Sequence, residues 1–187
     1  KQQEKMEKHL RVIKEEIERL NKIVVDFLFA VRPIKFEASI VNINSILSSL
    51  IETFNEEAQL NNVHFNTDFA KTPLILQGDE RFLRQAFMNI ILNAFHAMQG
   101  KGGMLFVKTY SENAKIVVEL EDEGGGIPAH ILGKIFEPYF STKESGTGLG
   151  LTLTYKVIKE HGGDVQVYSK EGMGTVFKIT LPTQNNR

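Results

Sequence analysis

The chain has no cysteine. That absence excludes a disulfide framework and every thiolate metal site, and it fits a reducing compartment. The five histidines lack the spacing of a zinc cluster, so no second ligand set replaces the thiols. An excess charge of one sign is missing as well: 22 Lys and Arg stand against 23 Asp and Glu, a formal net charge of −1. Nothing offers a basic field to nucleic acid, and there is no acidic tail. A charge-driven partner must therefore be recognised locally. Long hydrophobic runs are also lacking. The longest apolar stretch, residues 23–31, is broken by Asp26 and falls far short of the roughly 20 apolar residues that cross a membrane. The charged beginning is no signal peptide. The expectation is a chain that stays in water, without membrane contact, in the cytoplasm. What is present, 187 residues with 42% hydrophobic content and only five prolines, suits one domain plus an appendage around an ordinary core.

The appendage comes first. From Met6, apolar residues fall at Leu10, Ile13, Ile17, Leu20, Val24, Phe27 and Val31, in the alternating steps of four and three that a heptad seam requires. Pro33 then ends the pattern, since it lacks an N–H and disfavours a helical residue before it. A helix of about 30 residues extends roughly 45 Å, too long for the core of a compact domain. A seam this regular predicts half of a helical hairpin, with a solvated single helix as the plain alternative.

After Pro33 the pattern turns to mixed α/β. Residues 39–43 read as a strand, and Asn44 is the expected cap of a helix running to about Leu60. Residues 63–69 and 74–76 are strand candidates. Asp79 is the expected cap of a long helix through Phe82, Leu83, Ala86, Phe87, Ile90, Ile91 and Ala94 to Met98. Two strands, 104–109 and 115–120, follow with a hairpin-like link. Residues 121–150 read as a long glycine-rich loop with at most short helical turns, and such loops are usually functional. A helix over 149–160 and strands over 164–169 and 175–181 complete the chain. Hairpin-type links and three domain helices predict an α+β fold, a two-layer sandwich with helices on one sheet face.

Four motifs carry the chemistry, and their order matters more than any one of them. Asn89-Ile-Ile-Leu-Asn93 places two amides on one helix face, where neutral oxygens can coordinate Mg²⁺ shared with substrate phosphates; the plain alternative is a polar helix face. His96 is three residues on. Asp122 ends a strand and enters Gly124-Gly-Gly126-Ile127. A carboxylate there can accept from an exocyclic amine such as that of adenine, while the glycines let backbone approach the ring. The same segment matches a dinucleotide fingerprint, with Glu144 at about the expected distance. That match fails because no crossover helix and second buried strand follow. Gly146-Thr147-Gly148-Leu149-Gly150-Leu151 alternates glycines immediately before a helix, so that backbone N–H groups face a polyphosphate. It is not a Walker A loop. Thr147 and Lys143 can add a hydroxyl and a positive charge. Thr175, after Gly172 and Gly174, can bond the base, or simply close a hairpin.

With these residues in place, the chain resembles the catalytic and ATP-binding domain of bacterial two-component sensor histidine kinases, in the superfamily shared with DNA gyrase, Hsp90 and MutL. The likeness covers residues 36–182, with all the motifs in family order. It implies the two-layer histidine kinase/Hsp90 ATPase sandwich for residues 34–187. For residues 1–33 it implies the second helix of the dimerisation domain and a linker. It implies ATP and Mg²⁺ as cofactors, with Asn93 holding the metal and Asn89 assisting. His96 would be a basic phosphate contact and Lys143 part of the lid. Asp122, with Gly124, Gly126 and Ile127, would bind adenine, residues 146–151 would cradle phosphates, and Thr175 would support the base. The segment Phe136-Glu-Pro-Tyr-Phe-Ser-Thr-Lys143 looks like the nitrogen-regulatory subgroup.

One substitution separates branches of that superfamily. Where hydrolysing members such as MutL carry a Glu as general base, four residues before the metal Asn, this chain has Asn89. An amide cannot take a proton, so ATP should be bound without efficient hydrolysis. The family's phosphoacceptor motif, a His followed by an acid and shortly by Asn-Pro or Thr-Pro, is absent, and His9 does not match it. The resemblance therefore implies a γ-phosphoryl donor to a histidine on a dimerisation helix absent from this chain. The parent kinase would be a homodimer serving a response regulator, anchored in a membrane or not. A nucleotide-gated binding module of the same fold, such as an anti-sigma-type serine kinase, is the other class, and a slow ATPase the third.

Overall fold

The computed structural model describes Met6, His9, residues 37–143 and residues 146–183. The heptad helix at 6–31, the domain boundary after residue 33 and Glu144 lie outside the described residues, apart from Met6 and His9, which are helical and exposed. In order, the elements are β1 (Ser39–Asn42), α1 (Ile43–Leu60), β2 (Val63–Asp68), β3 (Ile75–Gly78), α2 (Glu80–Ala97), β4 (Gly103–Glu112), β5 (Lys115–Asp122), α3 (Ala129–Leu132), α4 (Gly150–Glu160), β6 (Asp164–Lys170) and β7 (Gly174–Pro182).

Five strands form one sheet in the order β2-β4-β5-β7-β6, and β1 pairs antiparallel with β3 in a separate two-stranded sheet. The sheet is antiparallel except where β2 runs parallel to β4. That pair needs a crossover, and β3 with α2 supplies it. One face of the sheet is apolar by strict alternation: Leu105 and Val107 on β4, Ile116, Val118 and Leu120 on β5, Phe177, Ile179 and Leu181 on β7 are all buried. The helices cover that face. Phe87 on α2 has no exposed surface, and removing such a ring costs about 3–5 kcal/mol.

α2 carries two site amides, so what fixes it matters. Asp79 accepts from the Arg81 N–H at 3.0 Å, the capping bond expected from its position. The same carboxylate accepts from the backbone N–H of Glu37 at 3.0 Å and from the Arg81 guanidinium. The Asp79 N–H in turn donates to Nε2 of His161 at 3.0 Å, while Nδ1 of that ring donates to the Val157 carbonyl at 2.8 Å. Burial holds the His161 imidazole below its ordinary range, hence neutral. Through this ring the start of α2 is tied to the end of α4.

The cap of α1 differs from expectation. Asn42 takes that position, accepting from the Asn44 N–H at 3.1 Å. Asn44 is instead turned inward: Nδ2 donates to the Ala70 carbonyl at 3.0 Å, and Oδ1 accepts from the Thr109 hydroxyl at 2.8 Å. The Ala70 carbonyl and the Thr109 hydroxyl compete for the amide, and Asn42 is free to cap.

Candidate functional site

The second half of α2 is the floor on which the distant motifs meet. Asn89 is buried and spans two elements: Nδ2 donates to the Gly150 carbonyl at 3.0 Å, and Oδ1 accepts from Gln85 at 3.2 Å. The start of α4 is thereby pinned to α2. Asn93, one turn later and half-buried, accepts at Oδ1 from the Lys143 ammonium at 2.8 Å across 50 residues of sequence. His96 stands apart. Its ring is exposed, and Nδ1 donates back to the Leu92 carbonyl, which leaves Nε2 as the acceptor of the neutral imidazole.

At the far end of the helix, Gly125 N–H donates to the Ala97 carbonyl at 3.2 Å, and a Cβ on Gly124 would strike Ala97 and the Asp122 carboxylate. Asp122 ends β5 only 4% exposed, opposite Thr175 on β7. Its carboxylate accepts from the Gly124 N–H at 2.9 Å and from the Thr175 N–H. Burial pushes the carboxyl up to about 6, outweighing the two donors that favour its charge, with Glu121 adding slightly. A shift of that size at a strand end in a motif cluster makes Asp122 a candidate site residue.

The glycine segments then lock onto one another. Gly172 N–H donates to the Gly125 carbonyl at 2.7 Å. Gly126 has φ +68°, and a Cβ there would run into the Lys170 carbonyl, so only glycine fits. Ile127 N–H donates to the Ser169 hydroxyl at 2.7 Å. That serine also contacts the Gly174 carbonyl at 2.8 Å and the Thr175 hydroxyl at 2.9 Å. The sequence reading passed over Ser169. The signal was available: along β6 the inward positions Val165 and Val167 are followed by a polar residue.

Among its described residues, the stretch between Pro128 and Gly150 contains one short helix, α3, and otherwise turns, bends and irregular backbone. Its middle is anchored. Ile135 is buried, Phe136 lies 5.2 Å from the Tyr155 ring, and the Thr152 hydroxyl donates to the Phe136 carbonyl at 3.1 Å. Tyr139 N–H donates to the Gly148 carbonyl at 3.1 Å, and a Cβ on Gly148, at φ +67°, would collide with the Tyr139–Phe140 backbone. Gly146 N–H closes a turn onto the Lys143 carbonyl at 3.1 Å, Thr147 Oγ1 accepts from Leu149 N–H at 3.3 Å, and Leu149 is buried. Leu151 packs on the core. The glycine cluster thus precedes the N-terminus of an eleven-residue helix, where unpaired N–H groups favour anions.

Of the fifteen residues singled out in the sequence, the structure brings all but His96 into contact with another motif, with their own loop or with the core. Two surface depressions, of about 290 and 260 Å³, lie at the opposite end of the sheet around Asn113 and Lys115 and include none of them. The Lys143 side chain ties its segment to α2 by reaching Asn93.

Comparison with known proteins follows the same lines. Residues 78–185 match the family described as histidine kinase-, DNA gyrase B-, and HSP90-like ATPase. Sporulation kinase E of Bacillus subtilis is 34% identical over 178 residues, covering 95% of this chain and 24% of that protein. Sensor histidine kinase ZraS of Escherichia coli K12 is 33% identical over 177 residues, covering 95% of this chain and 38% of that protein. This chain therefore spans about a quarter to two fifths of the relatives it matches. The nucleotide-free catalytic domain of histidine kinase ThkA superposes with a TM-score of 0.72 at 29% identity, over 79% of this chain and 96% of that one. ThkA in complex with the response regulator TrrA superposes at 0.78 and 26% identity, over 96% of this chain and 52% of that one. By sequence and by fold, this chain belongs to the histidine kinase-, DNA gyrase B- and HSP90-like ATPase family, alongside relatives named sensor histidine kinases.

Proposed function

We propose that residues 34–187 are the catalytic and ATP-binding domain of a two-component sensor histidine kinase. In this reading the domain binds Mg-ATP and presents the γ-phosphoryl group to a histidine on a separate dimerisation helix. Residues 1–33 are the second helix of that dimerisation domain and a linker. The observation that carries the reading is the ring of contacts around α2, in which Asn93–Lys143, Asn89–Gly150, Ala97–Gly125 and Gly125–Gly172 join four distant motifs. The relatives named kinases and the ThkA–TrrA complex support a response regulator as the downstream partner. The Phe136–Lys143 segment supports the nitrogen-regulatory-like subgroup.

The donor set fits a metal. Asn93 Oδ1 already faces a cation, the Lys143 ammonium at 2.8 Å, and a neutral amide oxygen suits a hard divalent ion. Magnesium, when bound, supplies charge neutralisation on the phosphates. Asn93 is its holder, and Asn89, with one lone pair engaged by Gln85 and its Nδ2 on Gly150, chiefly braces the floor. Asp122 accepts from the adenine amine. The turn of residues 146–151 leading into α4, in which the Gly146 and Leu149 N–H groups are already engaged within the turn, and the Lys143 charge receive the phosphates, while His96 at the rim can donate to a phosphate from Nε2 only as the imidazolium. Such a site works by positioning and charge. No carboxylate stands at position 89 to activate water, which directs the phosphoryl group to a protein acceptor.

Calorimetry with Mg-ATP tests the binding half. The parent chain binds, and Asp122→Ala weakens binding at least tenfold; a variant binding as tightly as the parent overturns the adenine assignment. Incubation with γ-labelled ATP and a separate helix bearing the His motif tests the transfer half. Label on the helix and none on this chain is expected, while steady release of free phosphate contradicts the kinase reading.

A further inference from the structure

Three polar side chains close the apolar columns on the inner face of the sheet. Along β5 the inward positions run Ile116, Val118, Leu120 and then Asp122; along β7, read backwards, Leu181, Ile179, Phe177 and then Thr175; along β6, Val165, Val167 and then Ser169. Strand register sets Asp122 opposite Thr175, and Thr175 opposite Ser169. The three form one row across neighbouring strands, and Asp122 and Thr175 are each only 4% exposed.

Proton counting on this row has a single solution. A serine hydroxyl donates once and accepts twice. Ser169 Oγ has three neighbours: the Ile127 N–H at 2.7 Å, the Gly174 carbonyl at 2.8 Å and the Thr175 hydroxyl at 2.9 Å. A carbonyl oxygen cannot donate, so the Ser169 proton goes to Gly174. An amide N–H cannot accept, so Ile127 fills one lone pair. The other lone pair takes the Thr175 proton. Thr175 Oγ1 is then left with lone pairs alone to offer a ligand, as is the ionised carboxylate of Asp122 beside it.

We infer that Ser169 is a specificity-determining positioning residue: by taking the Thr175 proton it turns Thr175 and Asp122 into paired acceptors that select a purine with an amino group at C6 and reject a 6-oxo purine. This rests on the nucleotide reading of the site and adds the polarity of its base pocket. An amino group donates into both acceptors. A 6-oxo purine brings only its single N1–H to the two acceptors, so at least one of them meets the oxo oxygen lone pair to lone pair and stays unpaired, the situation in which binding sites discriminate most strongly. Without the Ser169 hydroxyl, Thr175 is free to rotate its proton toward the ligand, and the 6-oxo base becomes acceptable.

The test is calorimetry on the 187-residue chain with Mg-ATP and Mg-ITP, which differ at C6 in amino against oxo and at N1 in a lone pair against an N–H. The parent prefers ATP by roughly 100-fold or more. Ser169→Ala lowers that ratio about tenfold, and Ser169→Thr, which keeps a hydroxyl, holds it near the parent value. A merely structural role for Ser169 weakens both nucleotides equally and leaves the ratio unchanged, which overturns the inference. Should Ser169→Ala fail to fold, Thr175→Val decides: ATP loses an acceptor while ITP is relieved of a repulsion, so the ratio falls. An unchanged or larger ratio in that variant contradicts the assigned polarity. A parent chain that binds neither nucleotide removes the site reading and this inference together. A parent that prefers ATP, with the ratio unchanged in the variants, leaves the site reading standing and removes this inference alone.

Discussion

Asp122 pays for its position with an unfavourable proton affinity. Buried at the end of β5, its carboxyl titrates near 6 instead of near 3.8. Because the folded value is raised, the group adds stability that is fully present below about pH 3.8 and is lost as pH climbs to about 6. The ionised form that dominates at neutral pH is thus held at a cost on the order of 3 kcal/mol relative to the unfolded chain. Binding an amine reverses the balance, since a donor on the carboxylate favours its charge. Asp122→Asn carries no such titration. Chemical denaturation from pH 4 to 7 should therefore show the parent losing stability relative to the variant as pH rises, by up to that amount. A difference that is flat with pH contradicts the titration assigned here. Mg-ATP affinity of the parent should likewise fall roughly tenfold per pH unit below 6.

Among the elements, α2 does the most to organise the site, because each of its ends and its middle is fastened to a different segment. Asp79 and His161 hold the start, Asn89 holds α4, and Ala97 holds the first glycine turn. Asn89→Ala removes two side-chain bonds, each worth about 1 kcal/mol, and leaves the Gly150 carbonyl and the Gln85 amide to find other partners. Amide exchange across the first turn of α4 should speed up several-fold while the protection of β5 and β7 stays unchanged. Uniform loss of protection would show instead that Asn89 supports the whole fold. The helices and most strands were legible in the sequence because their signals are local: the three-and-four spacing from Leu83 to Ala94, the Asp79 cap, the alternation along β5 and β7. The α1 cap was misplaced by two residues, because the partner that draws Asn44 inward is Thr109, 65 positions away. The parallel pairing of β2 with β4 and the separate β1–β3 sheet are long-range choices of the same kind. The polar end of the β6 alternation marks Ser169 as a position, but its role is set by Ile127, 42 positions away, and by Thr175 on the neighbouring strand.

At the scale of the described molecule, one end of the sandwich is polar and glycine-rich, and a continuous apolar core fills the layer between helices and sheet. The motifs converge because strand ends, helix ends and turns all arrive at that end: β5 delivers Asp122, β6 and β7 deliver Ser169 and Thr175, and α4 begins there. Lys143 reaches back from the intervening segment to Asn93, which ties that segment to the floor beneath it. In the proposed function an adenine nucleotide with its magnesium binds between α2 and the 128–149 segment. Titrating the isotopically labelled chain with Mg-ATP and following its amide resonances tests this directly. The account predicts that the Asn93 side chain, residues 124–127, residues 146–151 and Thr175 shift together with one dissociation constant. Shifts confined to the depressions around Asn113 and Lys115, or no shifts at millimolar nucleotide, would contradict it.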